Sequence, residues 1–424
     1  MRSQAIRSRI VVPVGKPPIE NGAVVINGSR ITAVSPWEEL PRPRQEAVTD
    51  LGEVILLPGF INCHCHLDYT EMAGMIPRLQ HFADWIKAII AIKATWSYTE
   101  FAKSWITGAH MLEQSGVTSV VDIEAVPELL PEVWNATPLR LWSCLELINV
   151  KSPDTATSMV KSARQKAHEL ETQHTNHCGL SPHALYTASD DLLQQAEITA
   201  RAESRLLTTH VAESSEEDAM YHSATGPLYQ WLRSQGRLEH SGEGSPISIL
   251  DQLGYFNSPV IAAHVNYLAP NDPHILAAHG VTAVHCPRSH HYFGHDAFPW
   301  QRLNEAGVNI TLGTDSLASI GKVGGDIPRL DFFAEFASLA ATDKAPPPHK
   351  ALKWATTNAA KAIHQENELG QLSPGFLADI IAIPYAGTIG AAVEAIVGYR
   401  GSVAAAMIHG RWIIQDGDNI RHQT

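Results

Sequence analysis

Cysteine and histidine alternate over residues 63–66 of this sequence, within the stretch INCHCHLD. Both side-chain types bind transition metals, and four of them together would satisfy the usual coordination of zinc. The preceding residues 54–60, VILLPGF, are apolar and predict a buried strand that enters the motif. Successive side chains of a strand point to opposite faces, so His64 and His66 share one face and the two cysteines share the other. One ion can therefore bind the imidazoles or the thiols, and the remaining sequence must decide between them.

Eight apolar runs along the chain predict strands, and stretches with helical spacing separate them. The strand predictions cover residues 54–66, 116–123, 138–148, 177–187, 205–213, 259–267, 280–289 and 307–316. Eight strand–helix units within about 300 residues predict an α/β fold, a (β/α)8 barrel of the TIM type. An open doubly wound sheet is the alternative. Such a sheet usually has a glycine-rich phosphate loop, and the sequence contains neither a GxGxxG after a strand nor a P-loop.

Short alternating runs near both ends of the chain predict a second, smaller domain. Residues 22–34, GAVVINGSRITAV, and residues 370–384, GQLSPGFLADIIAIP, share this pattern and are bounded by turn residues. We therefore predict a small β-sandwich domain formed by residues 1–57 and 366–424. The (β/α)8 barrel domain is predicted over residues 58–365.

The bulk composition excludes several classes of partner. The 424 residues are 44% hydrophobic and 18% charged, which is typical of a globular protein. A formal net charge of −13 argues against nucleic acid and against an anionic membrane surface, both of which require clustered Lys and Arg. We find no signal-peptide h-region and no apolar run of roughly 18 residues. Five scattered cysteines favour a reduced, cytoplasmic protein, and a homo-oligomer is compatible with the sequence.

Polar side chains lie at the C-terminal ends of five predicted strands, the edge at which barrel enzymes build their active sites. They are His64, His66, His183, His210 with Glu213, His264 and Asp315. A lone histidine on an apolar run is usually a core residue. Chance, however, is a poor explanation for polar residues at matching positions of five different strands. Cys63 and Cys65 are then best explained as small apolar side chains that face the surrounding helices. This pattern favours the histidines as the metal-binding half of the motif.

Four separated motifs, PGFINCHCHLD, HVAE, AAHVNYL and GTDS, resemble the amidohydrolase superfamily, in particular its adenosine-type deaminases and chlorohydrolases. The resemblance covers nearly the whole chain and is greatest to the aminodeoxyfutalosine deaminases of bacterial menaquinone synthesis. Two-metal members have a bridging lysine at the end of strand 4, and CGLSPHALYT contains none. The resemblance therefore implies one divalent metal ion, zinc or iron, with His64, His66, His210 and Asp315 as ligands.

The same resemblance implies roles for the other polar residues. Asp315 would accept a proton from the attacking water, Glu213 would protonate the substrate and the leaving amine, and His264 would orient the attack. His183 and Trp85 would contact the substrate. The expected reaction is hydrolytic deamination of an adenine-type nucleoside, with aminodeoxyfutalosine preferred.

Three alternatives remain open from the sequence. Two are enzymes: a deaminase of S-adenosylhomocysteine or methylthioadenosine, and a triazine-type chlorohydrolase. The third is a barrel scaffold without activity. The presence of every expected ligand argues against this alternative. A histidine-rich loop with His290, His291 and His295 is compatible with a polar rim around the pocket or with a second metal.

Overall fold

The computed structural model describes residues 3–40, 47–150, 152, 154–321, 327–415 and 421–423. Residues 1–2, 41–46, 416–420 and 424, which belong to the predicted segments 1–57 and 366–424, lie outside the described residues. Contacts divide the chain into two compact units. One comprises residues 1–62, 110–119 and 331–424, and the other comprises residues 63–109 and 120–330. The domain limits predicted from the sequence remain a prediction.

The described residues form seventeen β-strands. They are β1 (Ser3–Val11), β2 (Ile19–Asn27), β3 (Arg30–Pro36), β4 (Ala47–Asp50), β5 (Val54–Pro58), β6 (Phe60–Cys65), β7 (Val117–Glu124), β8 (Arg140–Leu147), β9 (His177–Pro182), β10 (Leu207–Val211), β11 (Val260–His264), β12 (Thr282–His285), β13 (Asn309–Leu312), β14 (Ile380–Pro384), β15 (Ala405–Ile408), β16 (Arg411–Gln415) and β17 (Arg421–Gln423). Eight of them, β6 to β13, coincide with the predicted barrel strands.

Fifteen α-helices occur in the same part of the chain. They are α1 (Phe82–Lys93), α2 (Tyr98–Gln114), α3 (Leu130–Val133), α4 (Ala156–Gln173), α5 (Asp190–Glu203), α6 (Ser215–Ser223), α7 (Gly226–Ser234), α8 (Pro246–Gln252), α9 (Asp272–Ala278), α10 (Pro287–Phe293), α11 (Trp300–Ala306), α12 (Phe332–Ala340), α13 (Pro348–Trp354), α14 (Thr357–Ala362) and α15 (Ala392–Gly398). No helix within the described residues is both long enough and apolar enough to span a membrane.

Strands β6 to β13 form one sheet in strict chain order, and β8 to β13 pair in parallel. Every residue of β7, β10, β11 and β12 is buried, as expected for parallel strands covered on both faces. The two outer strands meet at a bridge between Cys65 and Asp315. There the carbonyl oxygen of His64 accepts the backbone N–H groups of Thr314 and Asp315. The sheet is thus a nearly closed barrel, and the predicted (β/α)8 fold is confirmed.

The first predicted barrel strand is wrong in its extent. Residues 54–66 form two strands, β5 and β6, which belong to different sheets. Pro58 has no N–H group to donate to a sheet. A β-carbon at Gly59 would lie 2.3 Å from the side chain of Thr118, so only glycine lets the chain pass this close to β7. The Pro-Gly pair therefore ends one strand and starts the next.

The other nine strands form a second, mostly antiparallel sheet that contains both ends of the described chain. Its main path is β16-β15-β14-β5-β1-β2-β3, with β4 and β17 beside it. Strand β1 pairs with β4 through its first half and with β5 through its second half, so the sheet forks. Apolar side chains from the N-terminal and the C-terminal strands, such as Ile26 of β2 and Ile380 of β14, share one buried core. The predicted small β domain built from the two chain termini is confirmed.

Candidate metal centre and active site

Three histidines and one aspartate converge at the C-terminal edge of the barrel. His64 lies in β6, His66 directly follows it, His210 lies in β10, and Asp315 follows β13. The Nε2 atoms of His66 and His210 are 3.3 Å apart. Oδ1 of Asp315 lies 3.7 Å from Nε2 of His64 and 3.8 Å from Nε2 of His66. All four side chains are buried, so the structure brings the four expected ligands together.

The tautomer of His210 follows from its hydrogen bond. Its Nδ1 lies 2.8 Å from the carbonyl oxygen of His183, which can only accept a hydrogen bond. The proton is therefore on Nδ1, and the lone pair is on Nε2, which faces His66. A backbone carbonyl that fixes the tautomer in this way is the usual support of a metal-binding histidine.

The donor set fits a divalent ion of the zinc type. Zinc–nitrogen bonds of about 2.05 Å at a tetrahedral angle place two nitrogens roughly 3.4 Å apart, close to the separation between His66 and His210. Burial, together with neighbouring histidines, lowers the pKa of His64 and of His66 well below its usual value. Both rings are therefore neutral, which is the form that binds metal. Three imidazoles and one carboxylate would hold the ion, and water would be its fifth ligand, a coordination number that catalytic zinc can adopt.

The two cysteines of the motif lie elsewhere. Cys63 and Cys65 are completely buried, and within the described residues neither belongs to a cluster with the geometry of a metal site. Burial raises the pKa of the Cys63 thiol to about 12 and raises that of Cys65 well above its usual value. Neither sulfur is a thiolate at neutral pH, the form that binds metal.

Three hydrogen bonds hold the carboxyl group of Asp315, and its Oδ1 faces His64 and His66. Its Oδ2 accepts the hydroxyl groups of Ser289, at 2.6 Å, and of Ser319, at 3.2 Å. Its Oδ1 accepts the backbone N–H of Ser316 at 2.7 Å. Burial raises the pKa of Asp315, and the hydrogen bond from Ser289 opposes this rise. The carboxyl group is thus fixed in orientation and is a stronger proton acceptor than an exposed aspartate.

Glu213 lies in a tightly bonded loop between β10 and α6. Ser214 caps α6 by accepting the N–H of Glu217, the Ser-x-x-Glu spacing of a capping box. The side chain of Glu217 reaches back and accepts the N–H groups of Ala212, at 3.1 Å, and of Glu213, at 2.7 Å. Asn266 also donates to the carbonyl oxygen of Glu213 at 2.8 Å. The backbone of Glu213 is therefore fixed on both sides.

The carboxyl group of Glu213 faces His264 and Asp315. Its Oε1 lies 3.6 Å from Nε2 of His264, and these three residues form a buried cluster. Burial, followed by the charges of Asp315 and Glu217, raises the pKa of Glu213 well above its usual range. The raised pKa favours the protonated carboxyl group, which is the form that can donate a proton. Nε2 of His264 is buried without a hydrogen-bond partner among the described residues, and burial keeps this ring neutral.

The backbone is strained at the strand ends that carry these groups. Ala212, His264, Val265 and Asp315 have φ values of 49°, 74°, 50° and 53°. Side chains disfavour this left-handed region, and a β-branched residue such as Val265 is a clear outlier there. Such strain persists where the surrounding structure fixes it, and it concentrates at functional sites. Periodicity in the sequence contains no signal for these conformations.

A pocket of about 430 Å³ opens directly onto this cluster. Its lining includes His66, His210, Glu213, His264 and Asp315, and it also includes the predicted substrate residues His183 and Trp85. His183 contacts the Oγ1 of Thr187 through Nδ1, at 2.8 Å, and burial lowers its pKa to about 3. Trp85 donates its indole N–H to the carbonyl oxygen of Ala318 at 3.2 Å. The volume lies in the range of small-molecule sites.

An ion pair that the sequence analysis missed also lines the pocket. Nζ of Lys93 lies 3.6 Å from Oε2 of Glu146 and donates to the hydroxyl group of Tyr69. The ring of Tyr69 stacks on His66, with centroids 5.2 Å apart and 10° between planes. Burial opposes ionisation of Glu146, but Lys93 and the neighbouring histidines together outweigh it and lower the pKa of this carboxyl group. Lys93 and Glu146 are distant in sequence, so only the fold pairs them.

The predicted histidine-rich loop is largely a helix, since His290 and His291 lie in α10, and it does not line this pocket. Nδ1 of His290 lies 3.0 Å from Oδ1 of Asn266, and Nδ1 of His295 lies 3.3 Å from the hydroxyl oxygen of Tyr267. His291 is exposed. Within the described residues, these three histidines belong to no cluster with the geometry of a metal site.

Comparisons with known proteins identify the family and the fold of the chain. A sequence profile described as the amidohydrolase family matches residues 55–413. The chain is 29% identical over 349 residues to the 5-methylthioadenosine/S-adenosylhomocysteine deaminase of Thermococcus onnurineus, covering 80% of this chain and 76% of that protein. It is 29% identical over 310 residues to the aminodeoxyfutalosine deaminase of Deinococcus radiodurans, covering 70% and 72%. A zinc-bound adenosine deaminase from Xanthomonas campestris shares the fold, with a TM-score of 0.82, 21% identity, and 97% and 93% of the chains covered.

Proposed function

The chain belongs to the amidohydrolase family, and we propose that it removes the exocyclic amino group of an adenine-type nucleoside in a metal-dependent reaction. It is a hydrolytic enzyme that acts on C–N bonds. The observation that carries the proposal is the convergence of the acid Glu213, the base Asp315 and His264 beside three histidines at one end of the pocket. Relatives that act on adenine nucleosides support this reaction rather than amide hydrolysis.

We assign the cofactor as one zinc or iron ion per chain, held by His64, His66, His210 and Asp315. When bound, such an ion lowers the pKa of a water molecule to about 7. Asp315, which is held in place by the hydrogen bond from Ser289 to its Oδ2, accepts a proton from the attacking water. The side-chain orientation of the acceptor is thereby kept through the proton transfer.

Glu213 and His264 act on the substrate. Glu213 transfers its proton to the ring nitrogen beside the reacting carbon. When the C–N bond breaks, the proton held by Asp315 leaves with the amine as ammonia, and the hydroxyl proton of the adduct returns to Glu213 as the 6-oxo group forms. Nε2 of His264 is available to hydrogen-bond the oxygen that develops at the same carbon. Water and nucleoside thus give a 6-oxo nucleoside and ammonia. His183 and Trp85 contact the nucleoside.

Within this reaction we propose aminodeoxyfutalosine as the substrate, and with it a role in menaquinone synthesis. The support is the named relative from D. radiodurans and the GLSPHALYT and CPRSHHYFG motifs. Methylthioadenosine or S-adenosylhomocysteine is the alternative substrate. The five cysteines are free, buried thiols, which supports a reducing, cytoplasmic location.

The test is a panel of adenine nucleosides incubated with zinc-loaded protein. Loss of the 6-amino group is followed by absorbance and by ammonia release, and labelled water reports whether solvent oxygen enters the base. We expect turnover of at least one adenine nucleoside and little or no chloride release from chlorinated triazines. Chloride release with inert nucleosides would refute deamination while leaving the metal centre intact.

A further inference from the structure

Two of the expected metal ligands differ in what fixes their rings. Nδ1 of His210 donates to the carbonyl oxygen of His183, and this hydrogen bond sets both the tautomer and the orientation of the ring. Nδ1 of His66 is buried and has no hydrogen-bond partner among the described residues. The orientation of His66 must therefore come from packing.

The flat ring of Tyr69 supplies this packing. It stacks on the imidazole of His66, with 10° between the planes and 5.2 Å between the centroids. The side-chain torsion that turns a histidine ring is broad, so the intrinsic preference of the side chain does not aim Nε2. Turning the imidazole of His66 would drive its edge into the face of the phenol ring. The stack therefore restricts the motion that would carry Nε2 away from the other ligands.

Tyr69 is itself fixed at both ends. Its backbone N–H donates to the carbonyl oxygen of His66 at 3.2 Å, in the 3-10 segment that follows β6. Its hydroxyl group accepts a hydrogen bond from Nζ of Lys93, and the same ammonium group lies 4.7 Å from the centroid of the ring. Glu146 in turn holds Lys93 by an ion pair. The side chain of Tyr69 is thus a rigid support rather than a loose neighbour.

We propose that Tyr69, anchored by Lys93, is a positioning residue that aims Nε2 of His66 at the metal ion. The stacked ring does for His66 what the carbonyl oxygen of His183 does for His210. This inference rests on the metal centre of the proposed function, but it does not depend on which nucleoside is the substrate. Residues that support a metal ligand in this way typically change metal affinity by about 10- to 100-fold when they are replaced.

The test titrates the zinc-loaded enzyme with a chelator, without substrate, and measures the zinc that each variant retains. Tyr69→Leu removes the flat ring and should weaken zinc binding about 10- to 100-fold. Tyr69→Phe keeps the ring and loses only the hydroxyl anchor, so its loss should be about threefold, the effect of one hydrogen bond. The matched control is Tyr98→Leu on α2, which should bind zinc as the wild type does, since Tyr98 is 46% exposed and does not line the pocket.

Three results would overturn the inference. They are wild-type zinc retention in Tyr69→Leu, an equal loss in Tyr69→Leu and Tyr69→Phe, and an equal loss in the control. Because no substrate is present, a result against Tyr69 leaves deamination intact, and a failure of every nucleoside to lose its amine leaves the zinc measurement intact. A wild-type enzyme that holds no zinc would overturn the metal centre and the inference with it.

A second variant and a second measurement separate orientation from general loss of packing. Tyr69→Met fills the buried volume with a flexible side chain that has no flat face, so it tests the stack even if Tyr69→Leu does not fold. It should lose zinc as Tyr69→Leu does. The visible absorption spectrum of the cobalt-substituted enzyme reports the geometry of the ligands. It should change in Tyr69→Met and stay as in the wild type in Tyr69→Phe, and an unchanged spectrum in Tyr69→Met would show that the ring does not orient His66.

Discussion

Replacement of Glu213 by glutamine separates proton transfer from every other property of the site. Glutamine keeps the size of the side chain and its hydrogen-bonding capacity, but it has no acidic proton. Glu213 is 5% exposed, and its pKa is raised by burial and by Asp315 and Glu217, so the wild-type group enters the reaction as an acid. Loss of a general acid lowers kcat by roughly 10²–10⁴-fold. This corresponds to about 3–5 kcal/mol of transition-state stabilisation.

Stability should move in the opposite direction. An unfolded glutamate ionises above pH of about 4.3, and the raised pKa of folded Glu213 opposes ionisation, so this residue lowers the free energy of unfolding at pH 7. Glutamine removes this contribution. We expect Glu213→Gln to unfold at the same temperature as wild type or higher, while its activity falls. The metal content, measured by plasma mass spectrometry, should stay near one ion per chain.

The control for this variant is Glu305→Gln on α11, an exposed glutamate that does not line the pocket. It should match wild type in activity, melting temperature and metal content. Metal loss in Glu213→Gln would identify Glu213 as a ligand and refute its assignment as the acid. Activity within a few-fold of wild type would also refute it, and the proton would then have to come from another group, with His264 the first to test.

The remaining predictions use the same assays. His66→Ala should lose the metal ion and activity, whereas Cys65→Ser should keep both at a packing cost of about 1 kcal/mol; a folded but metal-free serine variant would contradict the assignment. Burial raises the pKa of Glu217 from 4.5 to about 7, so its contribution to stability is complete below pH 4.5 and declines by about 3 kcal/mol as pH rises to 7. Glu217→Gln should therefore flatten the melting temperature between pH 5 and 7.5, and an unchanged slope would assign it to other groups. Glu216→Gln removes one acceptor from the start of α1 and should raise KM about tenfold while kcat stays within about threefold; an unchanged KM would show that α1 does not depend on this cap.

The barrel and the position of its site could be predicted because they depend on local pattern. Five of the eight apolar runs carry polar residues at their C-terminal ends, and parallel strands bring such ends to one edge, so His64 and His210 meet although 146 positions separate their numbers. The break at Gly59 could not be predicted from periodicity. It depends on the side chain of Thr118, which belongs to a neighbouring strand.

The contacts that orient the side chains of the site could not be predicted from the sequence, for a related reason. Ser289 of α10 donates a hydrogen bond to Asp315, which follows β13, and Lys93 pairs with Glu146 in the pocket lining. Serine and lysine occur throughout the chain, and no spacing rule marks these two. Ser214 and Glu217 have the spacing of a capping box, but Glu216 and Asp218 are acidic too, and the spacing does not predict that Glu217 accepts the N–H groups of Ala212 and Glu213. The reactive side chains at strand ends can therefore be predicted from the sequence, whereas the groups that orient these side chains cannot.

The bridge between Cys65 and Asp315 has a consequence for how the chain folds. It joins positions that differ by 250 in number (315 minus 65), and the chain entropy lost in closing so long a loop is about 5 kcal/mol. Contacts of such separation form late, because neighbouring strand–helix units assemble first. The proposed metal ligands His64 and His66 lie at the end of β6, and Asp315 lies at the end of β13. A bound metal ion would therefore stabilise the contact that closes the barrel. A nascent chain would then have no active site until its final barrel strand has emerged, and a half-folded intermediate could not hydrolyse nucleosides.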